Sequence, residues 1–163
     1  MNASHNTGND GNFQTSAELL ELVLGNKRLT RRVIEAFPEK ELFEFAPARM
    51  RPFADMVGEM LRFGEPLIRG VATGNWGEFP EIDLPETREG LLKMWDDSVS
   101  DMTALWPEIT TERFRARQRI FNMFETTGFG GIMYGLENEI HHRGQAYVYL
   151  RELGIEPPAF YIR

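Results

Sequence analysis

The sequence predicts an all-α protein, a four-helix up-and-down bundle with a short strand or irregular segment before the last helix. Three observations carry this. Apolar residues recur at three- and four-residue spacing in four stretches of roughly twenty residues. There is no internal repeat and only one weak strand candidate. A chain of 163 residues, 42% hydrophobic and with twelve Phe, has enough apolar side chain for a single core.

The first helix opens on Thr15 and Glu18, the spacing of a capping box, and carries Leu19, Leu22, Val23, Leu29, Val33 and Phe37 until Pro38 stops it. The second begins near Pro52 and presents Phe53, Met56, Val57, Met60, Phe63, Gly64 and Leu67 on one face, with Pro66 expected to kink its end. Val71 to Pro85, broken by Gly74, Gly77 and Pro80, reads as a loop. The third helix runs from Thr87 through Leu91, Met94, Trp95, Val99, Met102 and Leu105 to Trp106, before Pro107. In residues 108–130, Arg113, Arg115, Arg117 and Arg119 alternate with Phe114, Ala116, Gln118 and Ile120, the pattern of a strand with a solvated face. Gly128, Gly130 and Gly131 then mark a turn, and the last helix is expected from about Ile132 to Leu153. Residues 1–13, rich in Asn and Gly, are expected to be a disordered tail that includes His5, leaving 14–163 as one domain.

A formal charge of −7 without a basic block argues against nucleic acid as a partner, since phosphate binding needs a concentrated positive field. The absence of cysteine excludes disulfides, thiolate metal sites and a cysteine nucleophile. No segment has the apolar run of a membrane span or the n- and h-regions of a signal peptide, so the expectation is a cytoplasmic protein with no membrane partner. Gly74-Asn75-Trp76-Gly77 lacks a phosphate-loop lysine and reads as a turn.

His141 and His142 sit side by side on the last helix, about 100° apart, so only one of them can face a bundle interior. Gly131, Gly135, Asn138, His142, Gln145 and Tyr149 form one stripe; Leu136, Ile140, Tyr147 and Leu150 lie roughly opposite. A last helix apolar on a second side predicts a homodimer. Glu59, Glu65, Glu137, Glu139 and Tyr149 are candidate partners for His142 across the bundle. Glu139 and His142 match Glu-x-x-His once, and a di-iron carboxylate site needs that motif twice.

His141-His142-Arg143-Gly144-Gln145, the tyrosine-containing helix after it, Leu150-Arg151 and Leu153-Gly154, and then Pro157-Pro158 resemble the DinB-like family of metal-binding four-helix bundles. Arg51-Pro52-Phe53-Ala54 and Leu67-Ile68-Arg69-Gly70 extend the resemblance over much of the chain. It implies a divalent-ion site made by three histidines, one on the second helix and two spaced by four on the last. Here His142 matches the last of these, Asn138 stands where the first of the pair is expected, and Met60 stands at the second-helix position, with Glu59 beside it in the neighbouring register. A His, Asn and Met donor set suits no common divalent ion, because the thioether is soft and the amide oxygen neutral. Met60 lies among apolar neighbours, as core-filling methionines do, and His142 can be satisfied by Asn138 or Gln145 without metal.

Two functions follow. The first is a metal-free member, or one that binds Zn, Ni or Mn weakly, with a small-molecule pocket between the helices lined by Asn138, His142, Gln145 and Tyr149. The second, implied by the resemblance, is a metal-dependent transferase or hydrolase, for example one moving a thiol to an electrophile.

Overall fold

The structure is a computed structural model and describes residues 14–163; the tail expected over residues 1–13 lies outside them. In chain order the elements are α1 (Ser16–Ala36), α2 (Glu39–Glu44), α3 (Phe53–Arg62), α4 (Glu65–Thr73), α5 (Arg88–Leu105), a 3-10 turn (Trp106–Glu108), α6 (Thr111–Arg115), β1 (Arg117–Ile120), β2 (Phe124–Thr127) and α7 (Gly128–Glu152). The predicted bundle is the fold observed. Its four rods are α1, α3 with α4 end to end, α5 and α7. α1 packs on α5 and α7, both α3 and α4 pack on α7, and α4 packs on α5, which closes the ring.

Local chemistry sets the helix ends. The Thr15 hydroxyl accepts the Glu18 N–H at 3.2 Å and the Glu18 carboxylate accepts the Thr15 N–H at 2.7 Å, the predicted capping box. Such a cap stabilises a helix by about 1 kcal/mol. α5 begins on Thr87 and α7 on Thr127, each accepting an N–H from its own first turn.

The structure departs from the predicted elements in four places. The second helix breaks at Phe63–Gly64, before Pro66; that proline sits in the first turn of α4, where it lacks no needed hydrogen bond, so it starts a helix instead of kinking one. α4 continues to Thr73, three residues into the expected loop, and stops where Gly74 adopts φ +76°. Arg113 and Arg115 belong to α6; only Arg117 and Arg119 lie on a strand, in the antiparallel hairpin that pairs Arg117 with Thr127 and Ile120 with Phe124. The three glycines read as a turn form the opening of α7. Glycine is needed at 128 because a Cβ there would sit 2.3 Å from the Arg113 carbonyl oxygen, and this packing outweighs its poor helix propensity.

The main core joins α1, α2, α3, α5 and α7 around Phe37, Phe53, Met60, Trp95 and Leu150, with the Phe37 and Phe53 rings stacked at 5.1 Å. The apolar side of α7 expected to face a second subunit is largely covered by this chain. Leu136 and Leu150 are buried, and the Tyr147 hydroxyl donates to the Pro158 carbonyl at 2.8 Å; Ile140 alone of the four is exposed. The returning C-terminal segment, not foreseen from periodicity, supplies part of that cover. Among the described residues no helix is long and apolar enough to cross a membrane.

Candidate functional site

A polar seam crosses the contact between α3 and α7. Glu59 stands on α3 one position before the buried Met60, and it reaches α7 where Met60 cannot, since adjacent side chains diverge by about 100°. Glu59 Oε1 lies 3.0 Å from His142 Nε2 and accepts an N–H from Asn138 Nδ2 at 2.8 Å. Its other oxygen, Oε2, accepts from the Arg51 guanidinium, whose Nη2 also lies 3.4 Å from His142 Nε2. Behind the ring, His142 Nδ1 is 3.2 Å from Gln145 Oε1, and Gln145 Nε2 is 3.1 Å from Nε2 of the exposed His141.

The seam is graded in exposure. The His142 side chain is 8% exposed, Glu59 25% and Arg51 43%. Burial raises the Glu59 carboxyl, but hydrogen bonds from Arg51, His142 and Asn138 and the Arg51 charge outweigh it and hold the group down to about 2. Glu59 is therefore an anion throughout the neutral range. Nε2–H of His142 donates to Glu59 Oε1, and Nδ1 on the far side of the ring faces the Gln145 side-chain amide.

Of the residues singled out in the sequence, Asn138, His142 and Gln145 come together here. Tyr149 joins indirectly, its hydroxyl donating to the Arg51 backbone carbonyl at 3.1 Å. Met60, 1% exposed, sits in the core and contributes nothing to the seam. Glu65 pairs with Arg69, and Glu137 is exposed. The sequence marks Arg51 only through the resemblance carried by Arg51-Pro52-Phe53-Ala54 and not as a site residue. It lies in the loop before α3, where helical periodicity carries no information about side-chain direction. Glu59 had a signal: a carboxylate on the inner flank of an otherwise apolar helix.

Glu139 turns to the opposite flank of α7 and anchors a second, fully buried polar cluster against α1. Its carboxylate meets Lys27 Nζ at 2.8 Å, the Thr30 hydroxyl at 2.6 Å and Arg143 Nη1 at 3.4 Å, while Arg143 Nη2 donates to Asn26 Oδ1 at 2.7 Å. Lys27 also lies 4.5 Å over the Trp95 ring. Burial lowers the Arg143 guanidinium from its usual range, and Glu139 opposes the shift. Asn26, Lys27 and Thr30 interrupt an apolar periodic run, and this is the trace that such a cluster leaves in a sequence.

A cavity of about 540 Å³ lies beside the start of α1 and α7, lined by residues such as Thr15, Leu19, Ile109, Phe114, Arg115 and Phe129. A second, of about 580 Å³, lies at the hairpin among Trp76, Arg113, Arg117, Gln118 and Arg119. Neither is lined by Asn138, His142, Gln145 or Tyr149.

A family model described as the DinB family matches residues 4–163. The chain belongs to the DinB family. It is similar to the uncharacterized protein YjoA of Bacillus subtilis (strain 168), 24% identical over 149 residues, covering 90% of this chain and 96% of YjoA. The fold agrees with the crystal structure of that DinB-like protein at a TM-score of 0.71 and 20% identity, over 89% of this chain and 99% of the other. A DinB-like protein from Bacillus cereus ATCC 10987 aligns at a TM-score of 0.73 and 16% identity, over 91% and 99% of the two chains.

The family resemblance implies a divalent metal, and the residues of the seam fit one poorly. Among the described residues no three His, Cys, Asp or Glu side chains converge. Glu59 and His142 supply two donors, one carboxylate and one imidazole, where a catalytic zinc uses three protein ligands. The third candidate, Asn138, turns its amide N–H toward Glu59 and leaves its Oδ1 buried without a partner among the described residues. A guanidinium already stands against both donors.

Proposed function

We propose that this DinB-family chain works without a bound metal and uses the Arg51–Glu59–His142 seam to bind a small molecule. The observation that supports the reading is the closure of the seam on itself: Glu59, the anion opposite His142, is neutralised by Arg51 and hydrogen-bonded by Asn138. Arg51 is the exposed lip. Only its Nη2 is engaged among the described residues, so Nε and Nη1 remain as charge-assisted donors, which suit an anionic group such as a carboxylate. His142, held at a fixed distance from Glu59, would orient the ligand or exchange a proton with it.

The test is a titration of the untagged protein with Zn, Ni and Mn, read as bound metal and melting temperature. No stoichiometric binding and no stabilisation are expected. One equivalent bound, and lost in His142→Ala, would reverse the reading in favour of a metal-dependent transferase or hydrolase.

We also propose a homodimer through the outer face of α7. Ile140 and Val148 are 43% and 54% exposed there, and among the described residues nothing lies within 4 Å of a Cβ built on Gly144 between them. These three positions, spaced by four, form one open line on the helix.

A further inference from the structure

We propose that Arg51 is the resident cation of this site, a covalently attached charge that compensates Glu59 beside His142 and thereby keeps a divalent ion out. The inference rests on the metal-independent reading and gives its cause. Glu59 Oε1 and His142 Nε2, 3.0 Å apart, are an anionic oxygen and an imidazole nitrogen brought to one spot from two helices, and such donor pairs attract a divalent ion. The Arg51 Nη2 touches both residues, through Oε2 of Glu59 and Nε2 of His142.

Its position is built in at both ends. The backbone of Arg51 is pinned by the Tyr149 hydroxyl from α7, and Pro52 directly after it is the N-cap of α3, so the chain leaves Arg51 in a fixed direction along the helix that carries Glu59. A guanidinium stays charged at every pH at which the protein folds, and it cannot be chelated or diluted away. The site is therefore compensated whatever the metal supply. A divalent ion entering it would stand beside that positive charge, or would have to displace it from Glu59.

Removing the guanidinium should unmask a latent metal site. Asn138 would then be free to turn its Oδ1, which has no partner among the described residues, toward the other two donors, completing a Glu, Asn and His set. The experiment compares wild type with Arg51→Met and Arg51→Lys, titrating Zn and Mn by calorimetry and by melting temperature. Arg51→Met should bind Zn at least about tenfold more tightly than wild type and be stabilised by it through mass action. The gain should vanish in Arg51→Met combined with His142→Ala or with Glu59→Gln. Arg51→Lys keeps the positive charge and should show no gain.

A folded Arg51→Met protein that gains no metal affinity overturns the proposal, as does a gain that survives His142→Ala. If Arg51→Met does not fold by circular dichroism, Arg51→Gln, which keeps a polar side chain at this half-exposed position, carries the same comparison. Zn binding by the wild type through His142 is a separate outcome and would remove the metal-independent reading itself.

Discussion

Glu59 and His142 meet across two helices with Oε1 and Nε2 3.0 Å apart, and the carboxylate of this pair is held at about 2 by the groups around it. Its folded value lies below the ordinary carboxylate value of about 4.3. The stabilisation it confers is therefore complete above about pH 4.3 and is lost as the pH falls toward 2. Glu59→Gln should cost about 1 kcal/mol at pH 7, a discounted figure because Arg51 is screened by solvent. The difference between wild type and variant should close over the same acid window. Urea unfolding at pH 7, 4 and 2.5 measures it, and a difference that stays constant would show that the carboxylate charge has no part in it.

Glu139 carries the larger stability. Glu139→Gln leaves the buried Lys27 and Arg143 without their anion, and breaking such a cluster costs about 3 kcal/mol or more. In a domain of this size that corresponds to a fall in melting temperature on the order of 10 °C. Glu137→Gln, two residues earlier and exposed, should change stability by no more than about 0.5 kcal/mol. Equal melting temperatures for the two variants would contradict the assignment of Glu139 to a buried network.

The bundle was legible in the sequence because periodicity, prolines and caps all record where a helix starts and which face it buries. The pairing of Asn138 with His142, and of His142 with Gln145, was legible for the same reason, since all three lie on one helix at spacings of three and four. What crosses between elements left weaker traces. Glu59 and Met60 are adjacent, and a shift of one residue in the register of α3 against α7 exchanges a core side chain for a site side chain. Arg51 reaches the seam from a loop, and the Lys27–Glu139 pair spans more than a hundred residues of chain, so neither has a local pattern.

That register yields a gain-of-function prediction. In an Arg51→Met background, Glu59→His together with Asn138→His would place three imidazoles around one point with His142 and should bind Zn stoichiometrically. Met60→His with Asn138→His in that background should not, because residue 60 points into the core; the substitution should instead destabilise the fold by about 2 kcal/mol or more. Calorimetry on the two variants separates the registers directly.

The dimer is tested by light scattering on a sizing column. Wild type should elute at twice the 18.8 kDa mass of one chain, and Ile140→Asp with Val148→Asp should elute as a monomer of unchanged circular dichroism. A monomeric wild type would contradict the proposed interface.

The most direct test of the central claim is the metal content of untagged wild-type protein after equilibrium dialysis against Zn. If Arg51 compensates Glu59 and His142 as described, less than about a tenth of an equivalent should remain bound at Zn concentrations near 10 μM. One equivalent retained, released by His142→Ala and unaffected by Arg51→Lys, would contradict both the metal-independent reading and the role given to Arg51.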